Sequence, residues 1–179
     1  MGRFVLIYGI LAGVISILLI LISFTFGDES SSGSILLGYL IMLAALSLIF
    51  AGIKRYRDIE LGGVIRFWVA TGMGLGIAMV SGIVYAIGWE AYLWLTDYSF
   101  FPEYAKATID AKRAAGASAA EIARLTREMA ELGEQYSQPL YRMAMTLSEI
   151  LPVGVIVSFV SAAFLRNHRF MPYRVPVDR

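Results

Sequence analysis

Cysteine is absent from the 179 residues, which excludes a disulfide framework, a thiol nucleophile and a thiolate metal site. Histidine occurs once, as His168 between Arg166 and Arg169, and without a companion ligand it reads as an interfacial side chain. Charge is scarce. Asp, Glu, Lys and Arg make up 16% of the chain and hydrophobic residues 58%, against about 25% and about 45–50% in soluble domains. A net charge of +1 gives no reason to expect nucleic acid as a partner. Also missing are an HExxH pair, a Walker loop, a Gly-x-Ser-x-Gly elbow and paired aspartates within an apolar run. No enzymatic activity, metal or cofactor is therefore expected.

What is present is long apolar runs, over 4–26, 35–53, 67–89 and 143–165. Each is about the length of a helix that crosses the hydrocarbon core, and a helix satisfies all its own backbone groups there. The first run is longer than the roughly 7–15 residues of a signal-peptide core, so it reads as a retained span. Leu6 stands where a myristoylation motif wants Ser or Thr. The fold class expected is all-α: a polytopic membrane protein with four transmembrane helices.

Basic residues near the span ends set the orientation. Arg3 precedes the first run, while Gly27–Ser34 after it has no Lys or Arg. Lys54, Arg55, Arg57 and Arg66 flank the next connection, and Arg166, Arg169, Arg174 and Arg179 follow the fourth run. All three basic segments fall on one side, which places both termini in the cytoplasm. Trp68, Trp89 and Trp94 are expected at the membrane interfaces that bound the third span.

The segment 97–138 then lies outside the membrane as a helical hairpin between the third and fourth spans. Pro102 suits a first helical turn and Gly116 a helix end. Ser118 with Glu121 reads as a capping box. Beyond it, Ile122, Leu125, Met129, Leu132 and Tyr136 form a narrow apolar seam, flanked by the pairs Arg124–Glu128 and Arg127–Glu131. Ala107, Ala111 and Ala115 of the preceding helix are expected to face that seam, which alternatively receives a partner protein.

One ionisable residue sits inside a span. Glu149, three residues before Pro152, costs at least about 2.5 kcal/mol at a helix centre. Because Pro152 has no amide hydrogen, the carbonyl of Ser148 loses its helical donor; a proton on Glu149 would serve it. Tyr85 and Tyr39 lie at matching depth and are candidates to join Glu149 and Ser148 in an intramembrane polar cluster; alternatively Glu149 only ties helices together, snorkels to the outer interface, or meets another subunit. Small residues at four-residue spacing, Gly9 and Gly13, Gly72 and Gly76, Gly154 and Ser158, are expected to let helices approach closely, within the chain or in a homo-oligomer. Lys54, Arg55 and Arg57 are candidates for contact with anionic lipid.

Tyr8-Gly9 with Gly13, the run Gly52-Ile53-Lys54-Arg55-Tyr56-Arg57-Asp58 through Gly62-Gly63 and Phe67, Gly116-Ala117-Ser118, and Thr146-Leu147-Ser148-Glu149 with Pro152-Val153-Gly154 together resemble a bacterial four-span membrane family, domain of unknown function forty-one ninety-nine. The resemblance covers nearly the whole chain. It implies the four-helix fold and the bacterial inner membrane, and brings no activity or catalytic residue with it. The function expected is that of a non-enzymatic scaffold or accessory subunit in contact with membrane lipids and a membrane-protein partner. The alternative is a small proton-coupled transporter or permeation unit that uses Glu149.

Overall fold

The computed structural model describes residues 1–26 and 35–173. The connection Gly27–Ser34 and the tail arginines Arg174 and Arg179, used above for orientation, lie outside the described residues. Regular structure among the described residues is all helical: α1 (Gly2–Phe26), α2 (Ile35–Leu46), α3 (Leu48–Glu60), α4 (Phe67–Leu95), α5 (Phe100–Ala114), α6 (Ala119–Tyr136) and α7 (Pro139–Leu165).

Among the described residues, four stretches are long and apolar enough to span a bilayer: Gly2–Phe24, Leu36–Glu60, Phe67–Leu95 and Pro139–Leu165. In three of them only 28% of the most apolar window is buried by the protein itself. Leu6, Leu18, Leu40 and Ile156 are all at least half exposed. Outward faces this apolar need an apolar solvent, and the chain is a multi-pass membrane protein.

The helices outrun the apolar windows that announce them. The second window ends at 53, but α3 carries the helix on through Lys54–Asp58 to Glu60. Charge ends hydrophobicity without ending a helix. Between α2 and α3 the turn at Ser47, whose hydroxyl donates to the Ala44 carbonyl at 2.6 Å, marks only a local irregularity. Pro139 opens α7 at the first helical position, where a missing N–H costs nothing.

The chain divides into two compact units. The first, Met1–Ala86 with Leu147–Arg179, has a continuous core of Leu46, Ile49 and Ile53 from α2 and α3, Ala70, Met73, Ile77 and Ala78 from α4, and Ile150, Ala162 and Leu165 from α7. α1 lies against α2 and α3. It also meets α4, where a Cβ on Gly9 would stand 2.5 Å from Val80 and one on Gly13 would stand 2.7 Å from the Ser81 carbonyl.

The second unit, Ile87–Thr146, is built on α5 and α6, which pack on each other. Gly116, at φ +81°, turns the chain between them, a backbone region open to glycine at little cost. Ser118 then starts α6 with the expected capping box: its hydroxyl accepts from the Glu121 amide at 3.3 Å, and its own amide donates to the Glu121 carboxylate at 2.8 Å. The Ser118 amide and hydroxyl, both donating to that carboxylate at 2.8 Å, hold the Glu121 carboxyl below the usual carboxylate range. The α5 face toward α6 differs from expectation. Phe100, Phe101, Ala105, Thr108 and Ile109 are the half-buried residues of α5, whereas Ala107, Ala111 and Ala115 are exposed. Phe101 decides the register by stacking on Tyr136 at 5.0 Å and lying flat over Gly133. The Arg124–Glu128 pair closes at 3.4 Å.

Candidate functional site

The cationic cluster Lys54–Asp58 lies on the last two turns of α3, so residues 54, 57 and 58 share one side of the helix. Arg57 is fully buried. Its Nε donates to Asp58 at 2.7 Å, and its two terminal nitrogens donate to the backbone carbonyls of Leu165 (3.4 Å), Phe170 (3.1 Å) and Met171 (2.6 Å). The last carbonyls of a helix have no intrahelical donor, and a cation there also meets the negative end of the helix dipole. Arg57 thus ties α3 to the end of α7 and to the segment that follows it. Lys54 completes the cluster with a 2.6 Å bond to the second oxygen of Asp58.

This overturns one expectation for the basic run. Arg57 is consumed inside the protein and is not available to a lipid; a guanidinium's fork of donors is worth most where several acceptors converge. Lys54 is already paired with Asp58. Arg55 is exposed, on a shallow groove of about 560 Å³ lined also by Tyr8, Lys54, Asp58 and Tyr173.

A second buried arginine was not singled out by sequence reasoning. Arg142, 3% exposed, makes a two-pronged ion pair with Glu90 at 2.7 Å on both prongs. Its remaining terminal nitrogen donates to the carbonyls of Tyr136 and Ser137 at 2.8 and 2.9 Å. Its guanidinium stands over the Tyr98 ring at 5.1 Å. Trp89 is buried beside it, donating to the Tyr136 hydroxyl at 2.9 Å and packing edge-on against Phe100. Trp89 is therefore a core residue rather than an interfacial one, because α4 continues to Leu95. Trp68 and Trp94 are exposed.

Glu149 stands on the outward face of α7. Ser148, Glu149, Pro152, Val155, Ile156 and Phe159 are exposed, while Ile150, Gly154, Ser158 and Ala162 turn inward. Among the described residues no hydrogen bond or ion pair of Glu149 is formed. The residues expected around it face different ways: Tyr39 is exposed on α2, whereas Tyr85 packs against the core. The reason is helix phase. Equal depth does not give equal facing, and Glu149 falls on the side of α7 away from Gly154.

The small-residue positions divide. Ser158 is fully buried against Gly74, where a Cβ would come within 2.7 Å of its hydroxyl, and Gly154 faces Ala78. Gly76 meets Val5, but Gly72 has nothing within 4 Å. On α4 the close approach to α7 thus falls to Gly74, outside the four-residue series. Buried hydroxyls of Ser16, Thr71 and Ser81 find no hydrogen-bond partner among the described residues; no periodicity flags them.

The family model described as "Protein of unknown function (DUF4199)" matches residues 7–167. That range takes in three of the apolar spans and most of the first, the Arg142 clamp, and Arg57 with Asp58 and Leu165 but not Phe170 and Met171. No curated protein and no solved structure matches the chain.

Proposed function

This chain belongs to the DUF4199 family, and from that premise we propose that it is a non-enzymatic protein of the bacterial inner membrane, a scaffold or accessory subunit of a membrane assembly. Both chain ends lie in the cytoplasm, and α5 and α6 stand outside the membrane as a hairpin that meets a partner. The supporting observation is the seam of α6. Ile122, Leu125, Met129 and Leu132 are only half covered, by a single neighbouring helix, and neither α5 nor α6 has a fully buried residue. Two helices with no residue shielded on every side have apolar surface left for a third element. A cleft of about 380 Å³ lined by Ile122, Leu125, Lys112, Glu121 and Glu128 opens near their turn. Arg55, on its groove, is the basic residue left to an anionic headgroup.

The absence of cysteine makes the test direct. A cysteine at Ala115 is expected to react with a membrane-impermeant maleimide in intact cells, and one at His168 only after permeabilisation. Mild crosslinking followed by detergent extraction is expected to recover the chain with another protein, and Leu125→Asp to lose it. A chain that always elutes as a lone monomer ends the scaffold reading. The competing reading, a proton-coupled permeation unit, keeps the carboxyl of Glu149 beside Pro152 in its favour; pH-linked flux in reconstituted vesicles that Glu149→Gln abolishes would establish it instead.

A further inference from the structure

Glu149 presents a physical problem that the fold leaves open. It is five residues from the middle of the apolar span 143–165, or about 7.5 Å along the axis, while the hydrocarbon half-thickness is about 15 Å. Its side chain is too short to bring the carboxyl to the headgroups from there. It faces outward, and among the described residues no hydrogen bond or ion pair from the chain meets it. Lipid tails offer no hydrogen bond, and a polar group left unserved in hydrocarbon costs several kcal/mol. Something other than lipid must meet it.

We propose that this face of α7 is the interface with a second copy of the chain, related by a two-fold axis that brings the two Glu149 carboxyls together. The chemistry of the face selects that occupant. Ser148, Glu149, Pro152, Val155, Ile156 and Phe159 carry one acidic group and no basic one. A carboxyl group that holds a proton has both a donor and an acceptor, so it is its own complement. A two-fold contact places identical surfaces opposite each other, and two carboxyls sharing at least one proton then satisfy each other in a closed pair. Ser148 and Pro152, the nearest outward neighbours of Glu149, are short side chains that let two helices come close enough for the pair to form. Ile156 and Phe159, 63% and 40% exposed, supply apolar contact on the same side. This interface is separate from the seam of α6 and does not depend on the partner proposed for it.

Two sets of variants test it in native membranes. First, Ile156→Cys in the cysteine-free chain is expected to form a disulfide-linked dimer on mild oxidation, whereas Leu40→Cys, equally outward on α2, is expected to remain monomeric. Second, Glu149→Gln and Glu149→Leu are added to Ile156→Cys. The amide of Gln also donates and accepts, so Gln is expected to keep the dimer. Leu is expected to weaken it by about threefold to thirtyfold, the range for one interhelical hydrogen-bonded contact in a membrane. A monodisperse detergent peak for each variant controls for folding. Equal crosslinking at positions 156 and 40, or no effect of Leu, overturns the proposal. Loss of the crosslink with Gln as well as Leu also overturns it, because the amide keeps both a donor and an acceptor.

Discussion

Replacing Arg57 by Met removes a buried guanidinium but keeps much of its aliphatic volume, so the loss is mainly polar. Four acceptors lose their donor: one oxygen of Asp58 and the carbonyls of Leu165, Phe170 and Met171. Breaking a buried ion pair by removing one partner costs about 3–5 kcal/mol. Lys54 still holds Asp58, but its own side chain is 29% exposed and its contribution is screened accordingly. The 3.4 Å contact to Leu165 is weak. These features favour the low end, about 3 kcal/mol, or about 6–12 °C in Tm for a chain of this size. The assay is thermal unfolding in a mild detergent, with hydrogen exchange at residues 166–173 read in parallel. The tail is expected to lose protection ahead of the global transition, because the carbonyls of Phe170 and Met171 both accept from this one side chain. Adding Asp58→Asn to Arg57→Met is expected to cost less than the sum of the two single changes, since the second change removes the stranded charge. Additive effects, or an unchanged tail and Tm in Arg57→Met, would refute the reasoning.

Three further outcomes follow from the packing and the caps. Arg142→Met is expected to cost about 3–5 kcal/mol of the stability of the second unit, and Glu90→Gln less, because the amide still accepts from Arg142; exchange protection of α6 is the readout. Gly74→Leu and Gly13→Leu are expected to lower Tm sharply, as each drives a side chain into Ser158 or the Ser81 carbonyl, whereas Gly72→Ala, with open space around it, is expected to be neutral or stabilising by up to about 1 kcal/mol through helix propensity. Because the folded-state pKa of Glu121 lies below its usual value, its capping contribution is full above the ordinary carboxylate pKa and disappears as pH falls through the depressed one. Amide exchange at residues 119–121, corrected for intrinsic pH dependence, is expected to quicken over that window, and Glu121→Gln is expected to remove the pH dependence.

The amino-acid order alone carried the spans and the α6 capping box, because both rest on local physics. A run of about 20 apolar residues has one stable form in lipid, and a serine three residues before a glutamate satisfies two helix-start amides wherever it occurs. It also brought out Glu149 and the glycines of α1, since an ionisable group or a small residue stands out in an apolar run. What only the tertiary structure decided is who faces whom. Arg57 reads as a surface cation until the end of α7 and the residues after it accept three of its hydrogen bonds. Trp89 reads as interfacial until Tyr136 arrives from 47 residues away. Glu90 and Arg142, 52 residues apart, leave no periodic trace at all. Helix depth is additive along the chain and can be counted from sequence, whereas helix phase is fixed by packing against the other helices, and phase is what turned Tyr39 and Glu149 outward and Tyr85 toward the core.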